Sequence, residues 1–435
     1  MFGIPVLASV ARGILTKQSP FYVQYYIIAQ CNLACRMCNI VEANSDLVPA
    51  ALDDVEKIAA NLRAIGGGVV LLTGGEPFMH KKIADIVPIF VKHGLSPRLQ
   101  TAGLATREQL AACAVAGARH INISLDSLVE AKQDYINGDK PGSWRRALRA
   151  IADANAVFTA RNRLCALGCV LSRMNYREIP AIVEFATRIG WWVSLVPVHI
   201  TSLDAPLNFR GTDARFSFTP DDHAELDRTL DRLLAMKRHA NLFDSAEFLR
   251  SAFRYLKTGE VTWRRFNAGV CDSPNLYFAI LPNGEFSICC DHRYQKRLNL
   301  ADPEFPAIYR SREFRAAVFE TTSACRGCNY GSYPEMTLLA RDRKALLERA
   351  AFFAGFRNRP APRLSFEEIL AIAEEVRVKH RIEPFEAPHG DARPAAASQR
   401  YGDAKVLTRG DAMREWTARR ELLRLRAYDA SSSSQ

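Results

Sequence analysis

The chain is 435 residues long, with 48% hydrophobic and 24% charged residues and a formal net charge of +11. This length predicts two or three structural units. The composition is that of an ordinary globular protein, which excludes a disordered chain. A membrane-spanning protein is excluded because no apolar run approaches the roughly 18 residues that span a bilayer. The charge suits an anionic partner, but no RNA-binding module pattern accompanies it, which makes nucleic acid an unfavoured substrate.

The first predicted element is a helix within residues 1–18, in a lead-in segment without the features of a secretory signal. The interpretation that we favour is a helix that closes the bottom of the domain that follows it. The alternative is an amphipathic helix resting on an anionic membrane, with Arg12 and Lys17 near its polar side. We therefore expect a cytoplasmic protein, with membrane association as the alternative.

Short apolar, β-branched runs then alternate with stretches of helical period. The predicted strands are 22–29, 69–73, 97–101, 120–125, 164–171 and 192–198. The predicted helices between them lie near 53–65, 80–93, 106–117, 144–159 and 176–188. This rhythm predicts an α/β fold, a partial (β/α)6 TIM-like barrel with its active site at the carboxyl ends of the strands.

The second half of the chain has a different pattern. Residues 221–257 read as helical, and 276–290 read as a β-hairpin that turns at Asn283-Gly284. The predicted units are a lead-in (1–20), the barrel (21–210), a helical connector (211–260), a small α+β domain (261–340) and a charged helical extension (341–435). The extension contains a Pro- and Ala-rich segment at 384–398 and is expected to end in disorder.

Eight of the eleven cysteines fall into clusters or close pairs, which in a reducing compartment favours metal ligation over disulfides. Cys31, Cys35 and Cys38 follow the first predicted strand. Three thiolates on one loop can ligate three irons of a [4Fe-4S] cluster and leave the fourth iron open. A structural zinc ion normally takes four protein ligands, and no fourth Cys or His stands at a suitable spacing nearby.

A Gly-Gly-Glu-Pro turn, Gly74 to Pro77, ends the second predicted strand. The glycines allow a ligand to approach the backbone, Pro77 fixes the exit of the chain, and Glu76 supplies an anionic acceptor for an amino group. On its own the motif is more typical of a plain turn after a buried strand than of a ligand site.

The loop and the turn together resemble the radical S-adenosylmethionine (SAM) superfamily. "CNLACRMC" has that family's Cys-x3-Cys-x2-Cys pattern, and "GGEP" stands where the family has its methionine-binding motif. The resemblance implies a SAM-binding [4Fe-4S] cluster and S-adenosyl-L-methionine as cofactors. It also implies an oxygen-sensitive enzyme that cleaves SAM reductively to a 5′-deoxyadenosyl radical, which abstracts a hydrogen atom from the substrate.

The same resemblance extends to weaker positions. "ISLDS" implies that Ser124 and Asp126 lie near the ribose, and "YINGDKPGSWRRAL" (135–148) continues the likeness. Helix capping is the alternative for Asp126. Ser172 and Asn175 stand where family members often contact the cofactor, and Val196 stands where a residue flanks the adenine. "TAG" (101–103) departs from the more frequent Thr-Asn-Gly and lacks a polar side chain at its centre.

A second cysteine set lies in the predicted small domain. Its members are Cys271, Cys289, Cys325 and Cys328. Four thiolates suit zinc and iron-sulfur equally. The spacing resembles the twitch extension, a shortened SPASM domain, which implies one auxiliary [4Fe-4S] cluster for electron transfer. Cys290 is the alternative to Cys289, but strand alternation would turn it to the opposite face.

The remaining residues carry less information. Cys113, Cys165 and Cys169 read as buried hydrophobic side chains. No acid or base role is assigned to Asp291, His292, Tyr330, Tyr333 or Glu335.

The substrate and partner predictions stay broad. The family resemblance leaves the substrate open as a small molecule, a lipid or a peptide, to be oxidised or joined, with a reductant such as flavodoxin or ferredoxin. A peptide maturase is the narrower interpretation. A non-enzymatic iron-sulfur or zinc scaffold is the competing class.

Overall fold

The computed structural model describes residues 3–44, 46–160, 163–200, 211, 213–294, 296–330, 332–356 and 362–387. Its strands form one sheet in the order β6-β5-β4-β3-β2-β1-β7-β8, in which β1 to β7 run parallel and β8 is antiparallel to β7. The strands are β1 (Tyr22–Ile28), β2 (Val69–Gly74), β3 (Ser96–Thr101), β4 (His120–Ser124), β5 (Leu164–Leu171), β6 (Trp192–Pro197), β7 (Tyr277–Ile280) and β8 (Phe286–Ser287).

The described residues also form fifteen α-helices. They are α1 (Ile4–Thr16), α2 (Ile40–Asn44), α3 (Leu52–Ala64), α4 (Ile83–Lys92), α5 (Arg107–Val115), α6 (Glu130–Ile136), α7 (Ser143–Val157), α8 (Ile179–Arg188), α9 (His223–Met236), α10 (Ala246–Thr258), α11 (Phe305–Arg310), α12 (Arg312–Ala324), α13 (Tyr333–Arg341), α14 (Arg343–Phe356) and α15 (Phe366–Lys379).

The first six strands alternate with helices, as predicted, and their order in the sheet follows their order in the chain. Their ends agree with the predicted ends to within one residue. Every residue of β1 and of β2 is buried, because helices cover the outer face and the barrel interior lies on the other. The predicted α/β fold class, a partial TIM-like barrel, is confirmed.

The predicted hairpin is present as β7 and β8, with Gly284 in the left-handed region at φ 84°. It belongs to the barrel sheet, because β7 pairs in parallel with β1, Tyr22 opposite Tyr277 and Gln24 opposite Ala279. The predicted small domain therefore shares its strands with the barrel. The proposed division of the chain into five units stays a prediction.

Helix α13 spans the space between β1 and the segment that follows β6. On one side the Tyr333 hydroxyl donates to Oε1 of Gln24 on β1 at 3.1 Å. On the other side the buried Glu335 carboxylate accepts from the amide and the hydroxyl of Ser245, at 3.0 and 2.9 Å. This helix therefore closes the side that six strands leave open.

The free edge of β6 is covered by residues 241–244. The amide of Val193 donates to the carbonyl of Asn241, and the amide of Phe243 donates back to the carbonyl of Val193, each at 2.9 Å. The Asp244 carboxylate accepts from the amide of Leu195 at 2.6 Å. The edge strand thus keeps few unpaired backbone groups.

Two helices close the bottom of the barrel, at the amino ends of the strands. The Ser9 hydroxyl on α1 donates to the carbonyl of Gly67, just before β2, at 2.9 Å. Phe352 and Phe353 of α14 pack against Trp192 at the start of β6, with ring centroids 4.6 and 5.5 Å from the Trp192 ring. Helix α1 thus takes the position that we favoured for it, and the membrane contact stays a prediction.

None of the helices in the described ranges is long and apolar enough to cross a membrane.

Helix α15 packs on the outer surface of the barrel, against α7 and α8. The Arg149 guanidinium lies over the Phe366 ring, 3.7 Å from its centroid, and Lys379 forms an ion pair with Glu184 at 2.7 Å. The described part of the predicted charged extension therefore contains two helices, α14 and α15. Most of the 384–398 segment and the predicted disordered end lie outside the described residues.

Candidate active site

The three-cysteine loop follows β1, and Arg36 anchors it. The Arg36 side chain is buried, donates through Nε to the carbonyl of Tyr135 at 3.2 Å, and forms an ion pair with Asp139. The guanidinium also lies 4.1 Å from the centroid of the Tyr135 ring. The polar residue inside the cysteine motif thus holds the loop in place.

Residues 135–139 form the platform under this loop, which gives the family-like "YINGD" segment a physical role. The amides of Ala34 and Arg36 donate to the carbonyls of Asn137 and Ile136, at 3.3 and 3.0 Å. Gly138 has φ 85°, and a Cβ atom there would lie 2.2 Å from the carbonyl oxygen of Ala34. Only glycine therefore fits this close approach.

The glycine turn lies directly against the end of β1. The amide of Gly75 donates to the carbonyl of Ile28 at 2.9 Å, and a Cβ atom on Gly75 would lie 2.1 Å from the carbonyl oxygen of Gln30. Gly74 has φ 141°. The two glycines are thus needed for contact between backbone segments as well as for access to a ligand.

Glu76 is fully buried, and both carboxylate oxygens accept hydrogen bonds from the chain itself. Phe78 and Ala102 donate their amides at 3.1 and 2.8 Å. Burial raises the pKa of Glu76 to about 7, against these hydrogen bonds, which lower it. In this arrangement Glu76 joins the ends of β2 and β3, and its contact with a ligand amine stays a prediction.

A cavity of about 250 Å³ opens at the carboxyl ends of the strands and extends into the barrel. It collects most of the predicted site residues from separate parts of the chain. These are Cys31, Cys35, Cys38, Gly74, Gly75, Ser124, Asp126 and Val196. The motifs that follow four different strands thus border one space.

Four of the residues predicted to bind SAM do not line this cavity, namely Glu76, Pro77, Ser172 and Asn175. Asn175 is buried, and its amide nitrogen donates to the carbonyls of Asp126 and Val170, both at 2.9 Å. Its amide oxygen accepts from the backbone amide of Ser172 at 2.9 Å. Both residues therefore fix the loop after β5, and their cofactor contacts stay predictions.

Asp126 does face the cavity, and it also accepts from the amide of Val170 at 2.6 Å. Burial raises the pKa of Asp126 to about 6. It does not cap the next helix, because α6 begins at Glu130 after a Val129 N-cap without a side-chain hydrogen bond. Its side chain instead links the ends of β4 and β5.

The cavity wall also contains polar side chains that the sequence analysis missed. They are Gln24, Arg98, Gln100, Asn122, Ser194 and His199. The signal was visible as an alternation of polar and apolar residues in "PRLQT" and "HINIS", which we used only to predict strands. Closed barrels fill this interior with branched apolar side chains, so the polar lining indicates a space for a ligand.

The second cysteine set lies around the hairpin and the Cys-Arg-Gly-Cys turn. The sulfur of Cys289 accepts from the amides of Asp291 and His292 at 3.4 and 3.3 Å. The sulfur of Cys325 accepts from the amide of Gly327 at 3.3 Å. Cysteine sulfurs that receive such N–H bonds are typical of metal-bound thiolates, whose charge the donors stabilise.

The other two members of this set are Cys271 and Cys328. The Cys271 sulfur lies 3.2 Å from the Tyr277 hydroxyl on β7, and burial raises the pKa of Cys271 to about 12. Burial also raises the pKa of Cys328, and the nearby Cys289 and Cys271 thiols raise it further. Cys271, Cys289 and Cys328 also pack against one apolar cluster. In the described part of the chain, no three His, Cys, Asp or Glu side chains converge on the position of a single metal ion.

Two residues between α10 and β7 hold the Cys-Arg-Gly-Cys turn, and nothing in the sequence pattern indicated them. The Trp263 indole nitrogen donates to the carbonyl of Cys328, and the Arg264 guanidinium donates to the carbonyl of Cys325, both at 2.7 Å. Both side chains thus bond to carbonyl groups of the turn and not to its cysteine sulfurs.

The structure also shows the surroundings of the cysteines outside the two predicted ligand sets. Cys290 is 2% exposed and packs in an apolar cluster with Tyr26 and Tyr333, away from the amides that bond Cys289. Cys113, Cys165 and Cys169 are buried, as predicted, although Cys169 also borders the cavity.

Comparison with known proteins finds a family and several relatives that are similar to part of this chain. The profile of the Radical SAM superfamily matches residues 25–186. A GTP 3′,8-cyclase of Peptoclostridium acidaminophilum is 32% identical over 143 residues, which is 31% of this chain and 43% of the relative. A PqqA peptide cyclase of Bradyrhizobium diazoefficiens is 28% identical over 169 residues, 38% of this chain and 43% of the relative.

A solved structure resembles the fold over a longer stretch. Streptococcus suis SuiB bound to precursor peptide SuiA aligns with a TM-score of 0.51 at 16% identity, over 74% of this chain and 71% of SuiB. The chain spans less than half of the two curated relatives, so these likenesses establish the domain and its fold rather than a particular reaction.

Proposed function

Because residues 25–186 match the radical SAM superfamily, we propose that Cys31, Cys35 and Cys38 hold a [4Fe-4S] cluster with an open iron. The match confirms the predicted radical SAM domain and its class of cofactor, while the auxiliary cluster and the reaction of the whole protein stay proposals. The observation that carries the proposal is that three partly accessible cysteine side chains line the same cavity as the glycine turn and the ends of β4 and β6.

The residues around the cavity have distinct tasks in this proposal. When bound, the cluster and SAM would supply a 5′-deoxyadenosyl radical that abstracts a hydrogen atom from the substrate. The backbone of Gly74 and Gly75 would receive the methionyl end of SAM, while Ser124 and Val196 would contact the adenosyl end. Arg36 would hold the cysteine loop, and the closed barrel would limit the access of water.

Reductive cleavage of SAM by the anaerobically reconstituted protein tests this proposal. With dithionite we expect 5′-deoxyadenosine, and we expect Cys35→Ala to abolish it. Cys113→Ala is the matched control, because Cys113 is a fully buried thiol of the outer helix α5. A fully loaded cluster without any SAM cleavage would instead favour the non-enzymatic scaffold.

We further propose that Cys271, Cys289, Cys325 and Cys328 hold an auxiliary [4Fe-4S] cluster for electron transfer. Its support is the position of the four thiols beside the barrel and the N–H donors to two of them. Four protein ligands would leave no iron open for substrate, which favours an electron-transfer role. About eight irons per chain are expected, whereas about four irons with one zinc would support the zinc alternative.

For the substrate, a peptide is the class that we favour over a small molecule or a lipid. Its support is that two proteins similar to this chain are a peptide cyclase and a protein bound to a precursor peptide. A cyclised or oxidised peptide would lose two hydrogen atoms, which mass spectrometry detects. Short peptides encoded beside this gene are the first candidates, tested with reduced flavodoxin or ferredoxin as the electron donor.

A further inference from the structure

Arg98 lies on β3 with its side chain in the wall of the barrel cavity. The guanidinium has one hydrogen-bond partner among the residues that the structure describes, the amide oxygen of Asn122 at 3.3 Å. Its Nε is inaccessible and bonds to none of the described atoms. Arg98 is half-buried, and a guanidinium with so few partners at the wall of a cavity is unfavourable for the free protein.

Buried arginines elsewhere in the chain are better satisfied. Arg36 pairs with Asp139, and Arg349 pairs with Glu335. Arg163, which is also buried, donates to a backbone carbonyl and to an amide oxygen of the protein. Arg349 also has one buried nitrogen, Nη1, without a hydrogen-bond partner among the described atoms. Each of these three arginines nevertheless has a carboxylate or carbonyl partner, whereas Arg98, within the part of the chain that the structure describes, has the Asn122 amide oxygen alone.

Arg98 is the deepest member of a hydrogen-bonded series along the cavity wall. The Asn122 amide nitrogen donates to Oε1 of Gln100 at 3.0 Å, and the Gln100 amide nitrogen donates to the Ser124 hydroxyl at 3.3 Å. A Cβ atom at Gly168 would lie 2.5 Å from the Asn122 amide nitrogen, so glycine at 168 leaves room for this series. The wall therefore leads from the predicted ribose contact down to Arg98.

The strand geometry sets the distance involved. Arg98 precedes Gln100 by two residues on the same face of β3. Its Cα atom therefore lies about 7 Å further from the carboxyl end of the strand than that of Gln100. A substrate group held at Arg98 would thus lie below the level at which SAM is expected to bind. The rest of the substrate would extend up the polar wall toward that level.

We propose that Arg98, with Asn122 beside it, binds a carboxylate of the substrate inside the barrel. The inference rests on the proposed function, since it assigns a substrate group to the same cavity. A carboxylate is favoured over a phosphate because a planar, singly charged group matches one guanidinium and an amide, while a phosphate normally engages more cationic or amide donors. A peptide can present such a group on an acidic side chain.

Binding of small anions to the reconstituted, SAM-loaded protein tests the proposal without any turnover. The probe is N-acetylglycine, its neutral control is the N-methylamide of N-acetylglycine, and methyl phosphate is the competing anion. By saturation-transfer NMR we expect N-acetylglycine to bind in the cavity and the neutral control not to bind. Arg98→Met should weaken carboxylate binding about ten- to hundredfold, the range of a lost charge-assisted hydrogen bond.

Arg119→Met serves as the matched control, because Arg119 is exposed and precedes β4 outside the cavity. Equal carboxylate binding by the wild type and Arg98→Met would overturn the proposal, as would tighter binding of methyl phosphate or no anion binding at all. If Arg98→Met does not fold, protection of Arg98 in the wild type from phenylglyoxal by N-acetylglycine, read by peptide mass spectrometry, decides instead. Failure here leaves wild-type SAM cleavage unaffected, so the two proposals fail separately.

Discussion

The rings of Tyr277 and Tyr333 are stacked, with centroids 4.5 Å apart and planes inclined by 8°. Tyr277 lies on β7 and contacts the sulfur of Cys271, while Tyr333 lies on α13 and donates to Gln24 of β1. This pair thus connects the second cysteine set, the helix that closes the barrel and the first strand.

We expect Tyr333→Ala to lower the free energy of unfolding by about 3–5 kcal/mol, because it removes a fully buried ring and leaves a cavity. Tyr333→Phe keeps the ring and removes one hydrogen bond, so its cost should be about 1 kcal/mol. Anaerobic urea unfolding followed by circular dichroism measures both. Equal losses in the two variants would show that the stacking contributes little.

The adjacent cysteines of the hairpin provide a second prediction. We expect Cys289→Ser to lose about four irons per chain, since its sulfur receives two backbone amides and stands where a cluster ligand is expected. Cys290→Ser should keep its iron, because Cys290 packs in the apolar cluster instead. Iron and sulfide analysis after reconstitution distinguishes them, and iron loss in Cys290→Ser alone would reverse the assignment.

Gly138 and Gly259 form a matched pair of glycines at positive φ, 85° and 73°. Substitution by alanine should cost about 1–2 kcal/mol of unfolding free energy at either site through backbone strain. Only at Gly138 does the added Cβ meet a backbone oxygen, that of Ala34, while Gly259 has open space within 4 Å. We therefore expect Gly138→Ala alone to lose the first cluster.

The measurement is iron content together with the EPR signal of the reduced SAM-binding cluster. Gly259→Ala should retain both at wild-type levels. A normal signal in Gly138→Ala would mean that the cysteine loop adapts to the displaced platform.

The stability of the protein should decrease as the pH rises, because of Asp244. Burial and the charge of Glu335 raise the pKa of Asp244 from 3.8 to about 7. Between these values the folded protein keeps a proton that the unfolded chain has released. The free energy of unfolding should therefore decrease as pH rises through this window, by up to about 1.4 kcal/mol per pH unit from this group.

Asp244→Asn should flatten this slope between pH 5 and 7, as measured by urea unfolding at fixed ionic strength. Asp221→Asn is the control, since Asp221 is exposed at the surface. An unchanged slope in Asp244→Asn would assign the pH dependence to other groups.

The strands of the barrel were predictable because each is a short apolar run with β-branched residues, such as "YVQYYII" and "LCALGCVL". The three-cysteine loop and the glycine turn were equally visible, since both are contiguous in sequence. Their convergence on one cavity followed from the parallel topology alone.

Other features depend on contacts between distant residues, which spacing does not reveal. The pairing of β7 with β1 joins residues about 250 positions apart in the chain, and either edge of the sheet would have suited the hairpin. Trp263 and Arg264 support the Cys-Arg-Gly-Cys turn from more than 60 positions away. Arg98 was overlooked because a charged residue in a strand normally faces solvent, whereas here it faces a cavity.

The pairing of β7 with β1 also has a kinetic consequence. Cys31 follows β1 and Cys289 follows β8, so the two cysteine sets are attached to strands of one hydrogen-bonded sheet. Neighbouring strands keep a spacing of about 4.8 Å that main-chain hydrogen bonds maintain. Electron tunnelling between two clusters held in this way would cross a constant gap, and solvent viscosity, which slows hinged domains, should leave its rate unaltered.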